Sequence, residues 1–545
     1  MNKIILFLQS WLKEINPWKN IRILHTNIKD EIIAGITVAI IALPLALAFG
    51  EISQLGPEAG IWSGVVGGII GGLFGGCLVG VSGPTAPMAS QMAAFMAFFV
   101  IGTTVEPDLV AAFSIIFLSG LILVLFSFLR ISRFIHFIPY PVVSGFMCGI
   151  GTIIVLTQIN PFFGLESENN IYEILKNFGF IIKNYKIETL YVSIPSLAIL
   201  LSWESLQKRY KYLVGIPSPF IALIVGSCIA YFMDLTIPYI GDKMNNIESG
   251  NIFTIYIPDF IRFREFIFPA LVLAGLAIID SLLSCKVADN MTGIRHSSDR
   301  ETFGQGMANM GAGLFGGIST ATATTQTVGN IEFGAKTPLA TIVKGITLLA
   351  ILYGLGFMVK SIPNACLAAI LFKLGFDILD YRILPYLKKI PSSDLFIFII
   401  AFLVTVFKNI MLAVAIGLVV AILIAFKKIY STFSSIHKHK IIKYENSDFY
   451  DGDSKKTDKF HVSVLQPHGS LFFGTTESLI LLHSTLPRHN ILIVDMKNVT
   501  SIDLTGIYIL EDFLNNAKGK DIKFFIANCK SAIKNKIDLL IPKKN

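Results

Sequence analysis

Charge is scarce in this chain, and the shortage sets its class. Only 15% of its 545 residues are Asp, Glu, Lys or Arg, against 53% hydrophobic; a soluble globular domain is about one quarter charged. Patterned cysteine is missing as well. The six cysteines (Cys77, Cys148, Cys228, Cys285, Cys366, Cys529) stand singly, with no CxxC pair, which excludes a disulfide scaffold and a zinc module. There is no nucleophile–base set and no nucleotide-binding loop, so nothing points to an enzyme or to an organic cofactor. Residues 1–30 carry no apolar core ahead of a small-residue cleavage site, and the N-terminus is expected in the cytoplasm.

Long apolar runs are what the chain has. They recur from about Ile33 to Phe426, and mean hydropathy is +0.66, as expected of a polytopic membrane protein in a lipid bilayer. The net charge of +8 does not imply nucleic acid. Its basic residues sit in short loops beside apolar runs: Arg130 and Arg133, Lys208 and Arg209, Arg382 with Lys388 and Lys389, Lys427 and Lys428. That is the pattern of cytoplasmic loops. Beyond residue 427 the chain turns rich in Lys, Asp, Asn and Ser. The expected division is an N-terminal segment (1–30), a transmembrane domain (31–430), a linker (431–458) and a soluble domain (459–545).

Several apolar segments are short or interrupted by Gly, Pro or polar clusters, which in a polytopic protein points to a binding site at mid-membrane. An internal repeat sharpens the pointer. Leu73-Phe74-Gly75-Gly76 is matched by Leu314-Phe315-Gly316-Gly317, at an offset of 241 residues. "CLVGVSGPTAPMAS" (77–90) follows the first copy and "ISTATATTQTVGN" (318–330) the second. Without gaps, Thr85 falls opposite Gln326. Repeats with an odd number of spans are inverted, so that their broken segments meet head to head.

Each stretch is expected to be a short extended segment feeding a half-helix. Pro84 and Pro87 suit an extended entry and a first helical turn. Thr320, Thr322 and Thr324 alternate with Ala321 and Ala323 as in a strand, and Thr324 or Thr325 is expected to cap the helix that follows. Two helix N-termini facing each other form an anion site that needs no lysine or arginine. The hydroxyls of Thr85, Ser90, Thr324, Thr325 and Thr327 add donors. Helix-packing glue is the alternative for any one of these residues; two matched clusters favour a site.

Asp280, in "LAIIDSLLS" (276–284), follows more than a dozen uncharged residues. A carboxylate inside a membrane is a functional hypothesis by default. Ser284 lies one turn on, on the same face. These hard oxygen ligands suit Na⁺, and a protonatable Asp280 equally suits H⁺. Asp289 is read as a solvated helix end and "NMTGIRHSSDRE" (290–301) as a solvated loop. Glu51, Glu58 and Glu332 are read as facing water, without a role.

"DEIIAGITVAIIALPLALAFG" (30–50), "VSGPTAPM" (81–88), "FIPYPVVSGF" (137–146), "IDSLLSCKVADNMTG" (279–293) and "GQGMANMGAGLFGG" (304–317) resemble the SulP family of sulfate-permease-like anion transporters. The resemblance runs from about residue 20 to the C-terminus. It implies a uracil-permease-like fold of seven plus seven inverted spans, about 14 in all, with a core domain that moves against a gate domain. The third and tenth spans would be half-helices. The tail would be a cytoplasmic α/β STAS domain, in accord with "HVSVLQP" (461–467), "ILIVDM" (491–496) and "SIDLTGIYIL" (501–510). Ser501, Asp503 and Thr505 lie where related regulatory domains are phosphorylated.

The same resemblance implies substrate. In the family's sodium-dependent bicarbonate transporters, an Asp and a hydroxyl residue one turn later on the eighth span bind Na⁺ with the start of the tenth. Asp280, Ser284, Thr322, Ala323 and Thr324 match here. The anion would lie against Thr85, Ala86, Ser90, Thr324, Thr325 and Gln326. Many members carry an arginine at the start of the tenth span where this chain has Gln326, a departure that favours a singly charged anion and a coupling cation. The expected function is Na⁺:bicarbonate symport by a homodimer in a bacterial inner membrane. Sulfate or another oxyanion coupled to H⁺ or Na⁺ comes next, then an uncoupled anion channel or a STAS-linked sensor.

Overall fold

The computed structural model describes residues 9, 11–96, 108–132, 140–168, 171–210, 216–243, 254–354, 356–379, 392–407, 440–443, 462–471, 479, 490–519 and 522–540. They form two compact units, one of residues 1–135 with 150–378 and one of 136–149 with 379–545. The apolar run expected over 410–426, most of the expected linker, and parts of the segments at 88–103 and 137–146 lie outside the described residues.

In the first unit α1 (Ile28–Ile52) and α2 (Pro57–Val66) come first; α2 continues through a π-helical turn, Gly67–Gly71, into Gly72–Phe74. Strand β1 (Ser82–Pro84) and helix α3 (Ala86–Met96) follow, then α4 (Leu109–Phe128), α5 (Tyr140–Thr157, which belongs to this unit from residue 150 onward), α6 (Ile187–Arg209) and α7 (Ser218–Phe232). The second repeat supplies α8 (Phe263–Thr292), α9 (Ser298–Leu314), β2 (Thr320–Thr322), α10 (Thr324–Glu332), α11 (Leu339–Gly354) and α12 (Asn364–Ile378). Among the described residues four helices are long and apolar enough to cross a membrane: Ile28–Ile52, Leu109–Phe128, Pro141–Phe162 and Phe263–Thr292.

The helix ends show how charge is accommodated. Glu31 in the first turn of α1 is fully buried, and its carboxylate accepts from the amides of Lys336, Thr337 and Ala340 at 2.7, 2.8 and 3.2 Å. It thereby serves the unpaired donors at the start of α11. Gly293, in the left-handed region at φ 73°, terminates α8, where glycine is favoured. Residues read as a solvated loop then start α9, and Asp299, Arg300 and Glu301 are buried. They tolerate burial because each finds partners far along the chain. Ser132 donates to Asp299. Arg300 reaches Asn16 O and Asn20 Oδ1 at 3.2 and 2.8 Å. Glu301 Oε2 accepts from the amides of Gly76 and Cys77 at 2.8 and 2.9 Å. Asp289 is likewise not simply in water: Oδ2 lies 2.7 Å from His296 Nδ1, and its side chain is 19% exposed. Glu58 is half-buried, with Oε1 shielded from solvent.

In the second unit α13 (Ser392–Phe407) precedes an α/β domain. Its sheet has the order β3 (Lys440–Lys443), β4 (Val462–Gln466), β6 (Ile491–Asp495), β8 (Lys523–Ala527). Of its three pairings, β4–β6 and β6–β8 are parallel and β3–β4, at the edge, is antiparallel. The strand β3 falls in the stretch expected to be linker. A parallel pair joins β5 (Gly469–Leu471) to β7 (Val499–Ile502). Helix α14 (Leu504–Gly519) follows β7, and α15 (Ser531–Leu540) follows β8. Leu465, Leu492, Val494, Ile507, Leu510 and Ile533 are buried in its core.

Candidate functional site

The two interrupted stretches pair with each other. Strands β1 and β2 form an antiparallel ribbon with Ser82 opposite Thr322, Gly83 opposite Ala321 and Pro84 opposite Thr320. Pro84 ends β1 and Pro87 sits in the first turn of α3, where a missing amide hydrogen costs nothing. Because the strands are antiparallel, α3 and α10 leave the ribbon in opposite directions with both N-termini at the crossing.

The register corrects the ungapped repeat. A twofold through the Gly83–Ala321 pair relates Thr85 to Ala323, not to Gln326. β1 starts six residues after Gly76 and β2 three after Gly317, so the copies differ by three residues. The cap of α10 is also corrected. Ala323 occupies the N-cap position, without a side-chain bond, and Thr327 N–H bonds back to Ala323 O at 2.9 Å. Thr324 and Thr325 are in the first turn and exposed. The amides of Thr324, Thr325 and Gln326 therefore have no acceptor within the helix. On the other side Ala89 N–H bonds to Thr85 O at 3.0 Å, and Ala86 opens α3 in the same way.

Helix α8 carries the remaining residues across the ribbon. Ser281 Oγ accepts from Thr322 N–H at 3.0 Å and fixes the helix to β2. One turn further, Ser284 Oγ lies 2.9 Å from Asp280 O and 2.6 Å from Thr324 Oγ1. A carbonyl can only accept, so Ser284 gives its one hydrogen to Asp280 O and Thr324 donates to Ser284. Both hydroxyl oxygens then keep lone pairs for a cation. Asp280 Oδ2 is buried without a hydrogen-bond partner, as is Thr85 Oγ1, and the two side chains are neighbours. Orphaned carboxylate and hydroxyl oxygens at one place fit a hard cation. Ser90 Oγ is also buried and unpartnered.

Two expected ligands face elsewhere. The Thr322 hydroxyl bonds Glu301 and accepts from Gln305 Nε2 at 2.8 Å. It belongs to a buried network in which Gln305 Nε2 also reaches Ser82 Oγ at 2.6 Å and Glu301 Oε1 at 2.9 Å; only its backbone is left for a cation. Gln326 is 1% exposed and turned inward, with Oε1 unpartnered on the Gly83 side of the ribbon. It does not share the open face of Thr324 and Thr325.

A residue missed by sequence reasoning stands behind the ribbon. Lys344, on α11, is fully buried; its Nζ donates to Ser82 O at 2.9 Å and Gly64 O at 3.1 Å. Its signal was visible as the lone charge of an otherwise apolar run, "LATIVKGITLLAILYG" (339–354). The ribbon comes close to the end of α2 as well: a Cβ on Gly67 would lie 3.1 Å from Gly83 Cα, a tight approach that glycine relieves.

Residues 28–401 match the Sulfate permease family and residues 454–542 match the STAS domain. The chain belongs to the sulfate permease family. It is an integral membrane anion transporter, not an enzyme, with the inverted-repeat helical fold of that family and an α/β STAS domain. It is 32% identical to the bicarbonate transporter BicA of Picosynechococcus over 94% of this chain and 91% of that protein. The solved transmembrane domain of a cyanobacterial bicarbonate transporter BicA matches with a TM-score of 0.62 and 31% identity, covering 73% of this chain and 98% of that domain. The structure of SLC26A9 matches over 98% of this chain and 89% of that one, with a TM-score of 0.65; at 19% identity this shows a shared fold alone.

In the STAS domain Asp503 is a cap. Its Oδ1 accepts from Gly506 N–H at 2.9 Å and its carbonyl from Ile507 N–H at 3.1 Å, at the start of α14. Ser501 is exposed on β7. The side chain of Thr505 lies outside the described residues.

Proposed function

We propose that this sulfate permease family member couples bicarbonate uptake to Na⁺. The observation that carries the reading is the oxygen set at the crossing: Asp280 Oδ2 without a partner beside the Ser284–Thr324 hydroxyl pair at 2.6 Å. Na⁺ there completes the coordination of Asp280, with Ser284, Thr324 and the backbone at Thr322 and Ala323 as further donors. The anion lies at the N-termini of α3 and α10, held by the amides of Ala86, Thr324 and Thr325 and the hydroxyls of Thr85 and Ser90. Cation and anion then stabilise each other, which is what coupling requires. The names of the related bicarbonate transporters support the choice of anion.

The same reading places the protein in a bacterial inner membrane as a homodimer of about 14 spans per chain, with the N-terminus and the STAS domain in the cytoplasm. Ser501 on its exposed strand is the accessible candidate for phosphorylation. Sulfate is the second substrate reading, favoured by the family's name and by the buried cation Lys344.

Equilibrium binding of ²²Na⁺ to purified protein tests the cation site. Wild-type protein is expected to bind Na⁺ more tightly when bicarbonate is present. Asp280→Asn is expected to retain the fold and lose binding. Unchanged Na⁺ binding in folded Asp280→Asn contradicts the assignment.

A further inference from the structure

Among the described residues no carboxylate forms an ion pair with Lys344, and the acceptors of its ammonium are two backbone carbonyls. Arg262, by contrast, is matched by Asp108 at 2.7 Å. An ammonium buried without a counter-ion is expensive, and such groups in membrane proteins mark substrate or ion pathways. Lys344 uses two of its three hydrogens on the carbonyls of Gly64 and Ser82, which presses its charge against the back of β1. A Cβ on Gly83 would sit 3.0 Å from Lys344 Nζ and 3.8 Å from Gln326 Oε1. Glycine leaves room for this approach, and the orphaned Gln326 oxygen lies on the same side. One residue beyond Pro84 the chain reaches Thr85, at the candidate anion site.

We propose that Lys344 is the fixed cation of the anion site: its ammonium, held behind β1, is the protein's own counter-charge for the transported anion and sets which anion charge is preferred. The proposal rests on the reading of the two half-helix ends as the anion site, and not on the identity of the coupling ion. A unit charge removed from a distance on the order of 8 Å, at an effective dielectric constant of about 20, weakens a monovalent anion about 30-fold and a divalent anion about 30-fold more. Lys344 therefore acts on the ratio between anions of different charge, which a lysine that merely ties two carbonyls together does not.

The test is anion-induced thermal stabilisation of detergent-solubilised protein, titrated with bicarbonate and with sulfate, which needs no transport. Proteoliposome KM and Vmax values for the same anions accompany it. Lys344→Gln is expected to weaken sulfate about 30-fold more than bicarbonate and to leave ²²Na⁺ binding without anion unweakened. Lys344→Arg is expected to restore the wild-type ratio. Gln326→Glu, which supplies an internal counter-ion while keeping the lysine, is expected to weaken both anions. A Lys344→Gln protein with a lower melting temperature but an unchanged sulfate-to-bicarbonate ratio overturns the proposal. So does Gln326→Glu with wild-type anion affinity, should Lys344→Gln fail to fold. Loss of sodium dependence in the wild-type protein would refute coupling and leave these ratios readable.

Discussion

At the scale of single residues, the crossing separates groups that look alike in sequence. Thr324 and Thr325 are open, whereas Thr320, Thr322 and Thr327 are buried in packing and hydrogen bonds. Thr327 Oγ1 accepts from Val81 N–H at 3.0 Å. Replacing Thr85 with Val removes a hydroxyl that makes no well-formed hydrogen bond and whose polar neighbour is the Asp280 carboxylate, so stability should be kept while the anion KM rises roughly tenfold, the worth of a hydrogen bond to a charged group. A fall in melting temperature without a KM change would make Thr85 packing glue. Gln326→Arg belongs to the buried side and not to the open face. It sets a second unpaired cation beside Lys344 and is expected to lower the melting temperature sharply. A stable Gln326→Arg protein with altered ion dependence would return Gln326 to the open site.

At the scale of elements, the ribbon depends on Glu301. Its two oxygens hold the amides of Gly76 and Cys77 ahead of β1, the Thr322 hydroxyl in β2 and Gln305 in α9. Glu301→Ala takes the acceptor from the Gly76 and Cys77 amides and the Thr322 hydroxyl and should cost about 3–5 kcal/mol, read as a lower melting temperature in detergent. A near-neutral effect would mean that the network does not hold the ribbon. The two extended segments were legible in sequence, because Pro84, Pro87 and the Thr–Ala alternation act locally; their pairing into a ribbon was not. Its register was not, because three extra residues after Gly76 break the ungapped match. Nor was the burial of Asp299–Glu301 legible. Polar residues in a row read as a loop when their partners, such as Asn20 and Gly76, lie 280 and 225 positions away.

At the scale of the molecule, composition alone separated a membrane domain from a soluble tail, since hydropathy and charge are summed over hundreds of residues; the α/β character of the tail came from the resemblance. The strands at 462–466 and 491–495 and the helix after Asp503 arise where the STAS resemblance implies them. Lys344 escaped because one charge scarcely changes a sum. Asp503→Ala removes a cap and should destabilise the STAS domain by about 1 kcal/mol while leaving the half-helix site intact. Matching losses of Na⁺ affinity would contradict that independence. The central claim concerns the whole transport cycle and is met most directly by one measurement: initial rates of radiolabelled bicarbonate uptake into proteoliposomes with and without an inward Na⁺ gradient. Uptake that is driven by Na⁺, and abolished in folded Asp280→Asn protein, is the predicted result; equal uptake without Na⁺ would contradict the account.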